Sequence, residues 1–302
     1  MTRSSTSPAL LAFPLPWFGT LCVTGSDRQS WLNGLLTCDL KGLSVGAGTY
    51  GLATSKVGRI LADVVVVATS DTLLLGVPRA RDHVLLTEFD RYLVMEDAAV
   101  SGESDRFAWV ALVGAGAAAV AQQLAPGVVA APLALLEGQD GAVIVTPVTA
   151  FETLCAALVH AGAELSDEAS WDRLRLEAGA PRFGVDFDEK TYPQEANLER
   201  RAVSFQKGCY LGQEVVCRLE MRGHVRRRLA SLEIEGEETL APGVEVTTLA
   251  GESVGAVTSA AWSPTCGVVA LAMLTRAYTE PGQALLAGRS AARVVATPHH
   301  KG

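Results

Sequence analysis

An α+β fold is the class this sequence predicts: two related units with mixed or antiparallel sheets, then a small β-barrel. Three observations carry the expectation. A strand–helix–strands–helix order occurs twice in the first 161 residues. After Arg228, short β-prone runs alternate with Gly- and Pro-bearing turns, the texture of a small sandwich or barrel. The chain has 302 residues, 49% of them hydrophobic, which is more core than one compact unit needs.

The elements follow in order. Leu21-Cys22-Val23 reads as a strand, and Ser26 or Asp27 can cap a helix running to about Leu36. Tyr50 to Thr54 and Arg59 to Ala68 flank Lys56-Val57-Gly58 as a hairpin, and Leu73 to Val77 is a further strand. Val84, Leu85, Phe89 and Leu93 stand at helical spacing in a helix from about Arg79 to Tyr92. The second round is a strand at Ala108 to Val113, a helix at Ala115 to Leu124, a strand at Ala142 to Thr146 and a helix at Ala150 to Ala161. A long helix from about Asp167 to Ala178 stops at Gly179, with Pro181 just beyond. Strands are expected at Leu229 to Ile234, Val244 to Thr248, Val254 to Ala261, Val268 to Leu274 and Ala292 to Ala296. The expected division is a body over 1–225, with units at roughly 8–105 and 106–225, and a barrel over 226–302.

Composition excludes several classes. A formal charge of -8 argues against direct nucleic-acid binding, which needs clustered positive charge. Pro14 and Pro16 interrupt the apolar stretch near the N-terminus, so it does not read as a signal peptide. Apolar runs such as Val64 to Ala68 are far short of the ~20 residues of a spanning helix, so no membrane association is expected. Six cysteines without a C-x-x-C pair do not make a secreted disulfide scaffold, and a cytoplasmic protein is expected.

Gly114-Ala115-Gly116-Ala117-Ala118-Ala119 after an apolar strand matches G-x-G-x-x-A, with Glu137 about 20 residues on, where a dinucleotide fold has its ribose-binding acid. Small residues packing a helix closely on a sheet are the plainer reading, because the parallel strands of a dinucleotide domain are missing downstream.

Three other segments carry chemistry. Gly58-Arg59-Ile60-Leu61-Ala62-Asp63-Val64-Val65-Val66 sets one carboxylate in an apolar strand. Asp63 therefore needs a partner or a ligand, unless it lies on a polar face. In Trp171 to Asp186, Leu174 and Ala178 share a helix face, while Arg173 and Glu177 pair on another. In Lys207-Gly208-Cys209-Tyr210-Leu211-Gly212-Gln213-Glu214, two glycines bracket a cysteine that a lysine precedes. Glycines allow backbone N–H groups to converge, and a lysine beside a thiol favours the thiolate. The residues alone leave a reactive thiol and a structural one equally open.

That eight-residue string is the signature of the YgfZ-type group, and the chain resembles this branch of the folate-binding family that includes the glycine-cleavage T-protein. The resemblance begins near Leu21 and runs through Arg222 to Arg228 into the C-terminal region. It implies three domains around an opening that binds tetrahydrofolate or a derivative. It also implies a role in iron–sulfur cluster assembly or repair, notably for radical tRNA-modifying enzymes, through transient contact with those clients. Asp63 then lies against the folate ring, and Arg175 of the R-L-E-A-G helix holds the acidic tail, with Arg173 the alternative. Cys209 is the nucleophilic or redox thiol, in a loop shaped by Lys207, Gly208, Tyr210, Gly212, Gln213 and Glu214.

Two departures count against glycine-cleavage activity. Val143 stands where the aminomethyltransferases carry an acid that grips the pterin, and Phe183 keeps a stacking surface but lacks the family tyrosine's hydroxyl. A folate-dependent one-carbon transferase is the rival function. Cys209, Cys217 and His224 match no zinc or ferredoxin spacing, so no bound metal is expected. The basic run Arg222 to Arg228 reads as solvated linker charge, with an acidic tail, an RNA or a client enzyme as functional options.

Overall fold

A computed structural model describes residues 10–124, 127–221, 223 and 225–296. The chain divides into two compact units. One takes the residues up to Gly51 together with Asp63–Glu168, and the other takes Leu52–Ala62 together with the residues from Ala169 onward. In this division residues 169–225 cluster with the C-terminal strands.

The first unit is built on β1 (Leu11–Pro14), β2 (Phe18–Thr24), α1 (Arg28–Asn33), β3 (Gly48–Thr54), β4 (Ile60–Ala68), β5 (Leu73–Pro78), α2 (Asp82–Asp90), β6 (Ala99–Gly102), β7 (Phe107–Val113), α3 (Ala117–Gln122), β8 (Val129–Pro132), β9 (Gly141–Pro147), α4 (Phe151–His160) and β10 (Glu164–Leu165). The strands form two five-stranded sheets, ordered β3-β4-β5-β2-β6 and β10-β1-β7-β9-β8. Strands β3 and β4 supply residues to both units.

Pro14 closes β1, and the chain passes from one sheet to the other before β2 starts at Phe18. A residue without an N–H is suited to such a strand end. Trp109 of β7 donates its indole N–H to the Thr20 hydroxyl at 2.8 Å and meets the Phe18 ring edge-on at 5.8 Å. On the other sheet, Ala117 and Ala121 of α3 and Leu154 and Leu158 of α4 pack with Val110, Leu112 and Ile144.

Helix α3 corrects the dinucleotide motif. Strand β7, which leads into it, pairs antiparallel with both β1 and β9, and β8 pairs antiparallel with β9. A dinucleotide fold needs parallel strands joined by crossover helices. The Gly116 N–H is also taken by the Asp140 carboxylate at 2.9 Å. The small residues serve packing.

The second unit contains α5 (Glu168–Glu177, assigned to it from Ala169), α6 (Glu199–Ala202), α7 (Gln213–Met221) and six strands: β11 (Arg227–Ile234), β12 (Glu245–Thr247), β13 (Ser253–Ser263), β14 (Gly267–Thr275), β15 (Ala284–Ala287) and β16 (Ser290–Val295). The six close into a barrel in the order β11-β14-β13-β12-β15-β16, with β16 pairing back onto β11. Closure leaves no strand edge unpaired. Leu232, Val246, Val257, Val268, Leu274, Leu285 and Val294 fill the interior.

Local signals misplaced several ends. Helix α1 stops at Asn33 and not at Leu36, and the stretch from Arg79 opens with a single 3-10 turn before α2. Strand β15 and helix α7 carried no distinct signal in the sequence. Gln213 and Glu214, expected in the loop around Cys209, form the first turn of α7, with Glu214 at its N-terminal end and Arg218 near its C-terminal end. Both charges suit the helix dipole.

Candidate functional site

The glycine-flanked cysteine lies in the second unit between α6 and α7. Cys209 is exposed, and a Cβ added at Gly208 would meet nothing within 4 Å. The neighbouring side chains turn inward. Tyr210 is 6% exposed and Lys207 8%, with the Lys207 ammonium 5.5 Å from the centre of the Tyr210 ring. The Lys207 ammonium thus stands over the tyrosine ring.

The loop is held from outside its own sequence. The Thr54 hydroxyl, at the end of β3, donates to the Leu211 carbonyl. Gly212 has φ +84, and a Cβ there would stand 2.4 Å from the Ser55 carbonyl oxygen and 2.9 Å from the Thr54 hydroxyl oxygen. Gly58, also left-handed, packs where a Cβ would lie 3.0 Å from Val215 of α7. From below, the Gln194 amide donates to the Val216 carbonyl at 2.9 Å.

The buried Tyr210 hydroxyl lacks a well-formed hydrogen bond. It approaches Cys217, and burial followed by that sulfur raises the phenol far above its usual range. Burial and then the Glu220 carboxylate raise the Cys217 thiol, while the Tyr210 hydroxyl acts in the opposite sense. The contact is a close approach of two protonated groups.

Six free thiols can now be ranked by access. Cys209 and Cys266 are exposed, Cys155 and Cys217 half-buried, Cys22 and Cys38 buried. Burial, with Glu103 adding and Arg106 opposing, pushes Cys22 up to about 11, and burial with Glu152 raises Cys155. Because only the thiolate reacts, a raised pKa means slower alkylation at neutral pH. Iodoacetamide at pH 7 should therefore label Cys209 and Cys266 first, and Cys22 should gain only as the pH climbs toward 11. Peptide mass spectrometry reads the order, and fast neutral labelling of Cys22 would contradict it. Sequence reading missed Cys266 as the competitor, although Pro264 and Gly267 mark the β13–β14 turn in which it lies.

Asp63 lies in the first unit, half-buried on β4. Its partner is Tyr50 of β3, whose hydroxyl donates to Asp63 Oδ2 at 3.1 Å. A carboxylate at that position in an apolar strand was expected to need a partner. The identity of the partner was missed, although Tyr50 lies on the paired strand of the same hairpin. Val143 is fully buried within β9.

Arg175 is the residue expected to hold the acidic tail. Its side chain is 3% exposed, with Nε 2.5 Å from Asp172 Oδ1 and Nη1 2.7 Å from Asp186 Oδ2. Asp186 is itself fully enclosed and also accepts from the Arg182 backbone N–H at 2.9 Å and from the Thr258 and Ser259 hydroxyls of β13. A guanidinium held in this way ties α5 to the 182–186 turn, and Asp186 carries the link on to β13. Arg173, the alternative, pairs with Glu177 at 3.4 Å as expected and keeps a 30% exposed side chain. Phe183 packs edge-on against Phe187 at 5.5 Å.

The basic run is partly neutralised within the chain. Arg227 pairs with Glu195 at 3.0 Å, and Arg228 bonds Asn197 and pairs with Glu199 at 2.6 Å. Arg222 and His224 lie outside the described residues. Among the described residues, no helix is long and apolar enough to cross a membrane.

Comparison with known proteins matches two stretches of the chain to two domain families. Residues 12–153 match the GCVT N-terminal domain, and residues 227–301 match the glycine cleavage T-protein C-terminal barrel domain. An aminomethyltransferase of Streptomyces avermitilis is 30% identical over 299 residues, covering 90% of this chain and 80% of the relative. The tRNA-modifying protein YgfZ of Photobacterium profundum is 28% identical over 243 residues, covering 78% of this chain and 73% of the relative. Among solved structures, the glycine cleavage system aminomethyltransferase T of Bartonella henselae superposes with a TM-score of 0.84 at 21% identity, over 97% of this chain and 87% of that one.

Proposed function

The chain belongs to the glycine-cleavage T-protein family, and from that premise we propose that it is a cytoplasmic folate-binding protein that supports iron–sulfur cluster assembly or repair, including in radical tRNA-modifying enzymes. The observation that carries this reading is an exposed thiol, Cys209, on a loop where Lys207 and Tyr210 are buried and whose backbone is held by a separate hairpin. Such a thiol can meet a partner protein or a cluster in transit.

Asp63 fits a pterin: a half-buried carboxylate, oriented by the Tyr50 phenol, suits N–H donors on a flat heterocycle. A bound tetrahydrofolate would supply a carrier for one-carbon units. The chain's own part is to orient that ring through Asp63 and Tyr50 and to present Cys209. Arg175 is left out of the ligand set, since its charge is spent on Asp172 and Asp186.

Two variants test the reading. Asp63→Ala should weaken tetrahydrofolate binding by about 1–3 kcal/mol in calorimetry while the fold persists. Unchanged affinity would remove Asp63 from the site. Cys209→Ala should bind folate normally yet fail to restore iron–sulfur enzyme activity in cells lacking the protein. Full restoration would sink the role of the thiol.

The aminomethyltransferase relatives favour a second reading, a folate-dependent one-carbon transferase. Formation of methylene-tetrahydrofolate from tetrahydrofolate and a methylamine donor would establish it. Val143 in place of the family's acid and Phe183 in place of its tyrosine weigh toward the first reading.

A further inference from the structure

We propose that Thr54 is a positioning residue for the loop that presents Cys209, an inference that rests on the reading of Cys209 as the working thiol. Thr54 lies 157 positions before Leu211 and outside the K-G-C-Y-L-G-Q-E string. It is 1% exposed, and its hydroxyl donates to the carbonyl of Leu211, two residues after Cys209. The adjoining turn seals the same point from the other side. The Ser55 carbonyl sits so near the Gly212 backbone that a Cβ would fall 2.4 Å from it.

Three successive anchors thus follow the thiol: Tyr210 packed inward, the Leu211 carbonyl tied to Thr54, and Gly212 pressed on Ser55. Cys209 and Gly208 remain as the outward part of the loop. Removing the hydroxyl leaves the Leu211 carbonyl without this donor, a lost hydrogen bond that should let the loop leave this geometry. The hairpin tip therefore acts as a support that fixes where the thiol stands, and valine, with the shape of threonine but no donor, cannot replace it.

The test compares wild type, Thr54→Val and Thr54→Ser by amide hydrogen exchange over residues 208–213 and by iodoacetamide labelling of Cys209, with Cys266 as internal control. Thr54→Val should speed exchange of that segment by about tenfold and alter the Cys209 rate, leaving Cys266 unchanged. Thr54→Ser should restore wild-type values. Thr54→Ala serves as the second donor-deleting variant if the valine protein does not fold. Wild-type exchange and labelling in the donor-deleted protein would overturn the proposal. Neither readout involves iron–sulfur activity, so the support can hold even where Cys209→Ala proves harmless in cells, and the two failures stay distinct.

Discussion

Asp186→Ala is expected to destabilise the protein by about 3–5 kcal/mol, because it strips a buried guanidinium of its enclosed partner. Arg175 would remain at 3% exposure with Asp172 as its nearest carboxylate, and the Thr258 and Ser259 hydroxyls and the Arg182 N–H would lose their common acceptor. The penalty should come mostly from what is left unpaired. Replacing both charges, as in Arg175→Met with Asp186→Leu, should therefore cost less than either single truncation. Urea unfolding midpoints across this cycle supply the measurement. A double variant that sums the two single losses would mean that Arg175 and Asp186 do not act as a unit. The same cycle bears on ligand binding, since an Arg175 that served the folate tail would cost affinity with little change in stability.

Gly212→Ala carries the second large effect, at about 2–5 kcal/mol. A non-glycine residue at φ +84 costs about 1–3 kcal/mol, and a Cβ placed 2.4 Å from the Ser55 carbonyl adds an overpacking term of similar size. The obstacle is backbone, which cannot swing aside as a side chain can. The loop should detach from the hairpin tip, and Cys209 should lose its fixed position along with some thermal stability. Gly208→Ala, four residues away, is the control. Nothing lies within 4 Å of the added carbon, so its stability should stay within about 0.5 kcal/mol of wild type. Thermal melts of the two variants side by side decide the matter. Equal melting temperatures would mean that Gly212 is not pressed against Ser55 in solution.

Much of the fold was legible because its signals are local. The apolar run of β4, the alternation in the C-terminal strands, and Gly179 with Pro181 after α5 are properties of neighbouring residues, and they predicted two strand-and-helix units and a barrel. The failures have the same origin. The Gly114–Gly116 turn satisfies a local pattern for dinucleotide binding, yet whether strands run parallel is settled by segments far along the chain. Helix α7 was hidden because a glycine-rich string reads as loop, and its start depends on Gly212 adopting a left-handed turn.

By itself the sequence determined the fold class, the family and the identity of the cysteine to suspect, since each follows from periodicity or from one contiguous string. Only the tertiary structure decided what the polar side chains do. Arg175 acquired an enclosed ion-pair partner in Asp186, 11 residues on, with hydroxyls 72 and 73 residues further bonded to the same carboxylate. Asp63 acquired Tyr50 across a hairpin, and the Cys209 loop acquired Thr54 from 157 residues before Leu211. A hydrogen bond is specific to the partner that folding brings within about 3 Å, and no local pattern records which distant residue that will be.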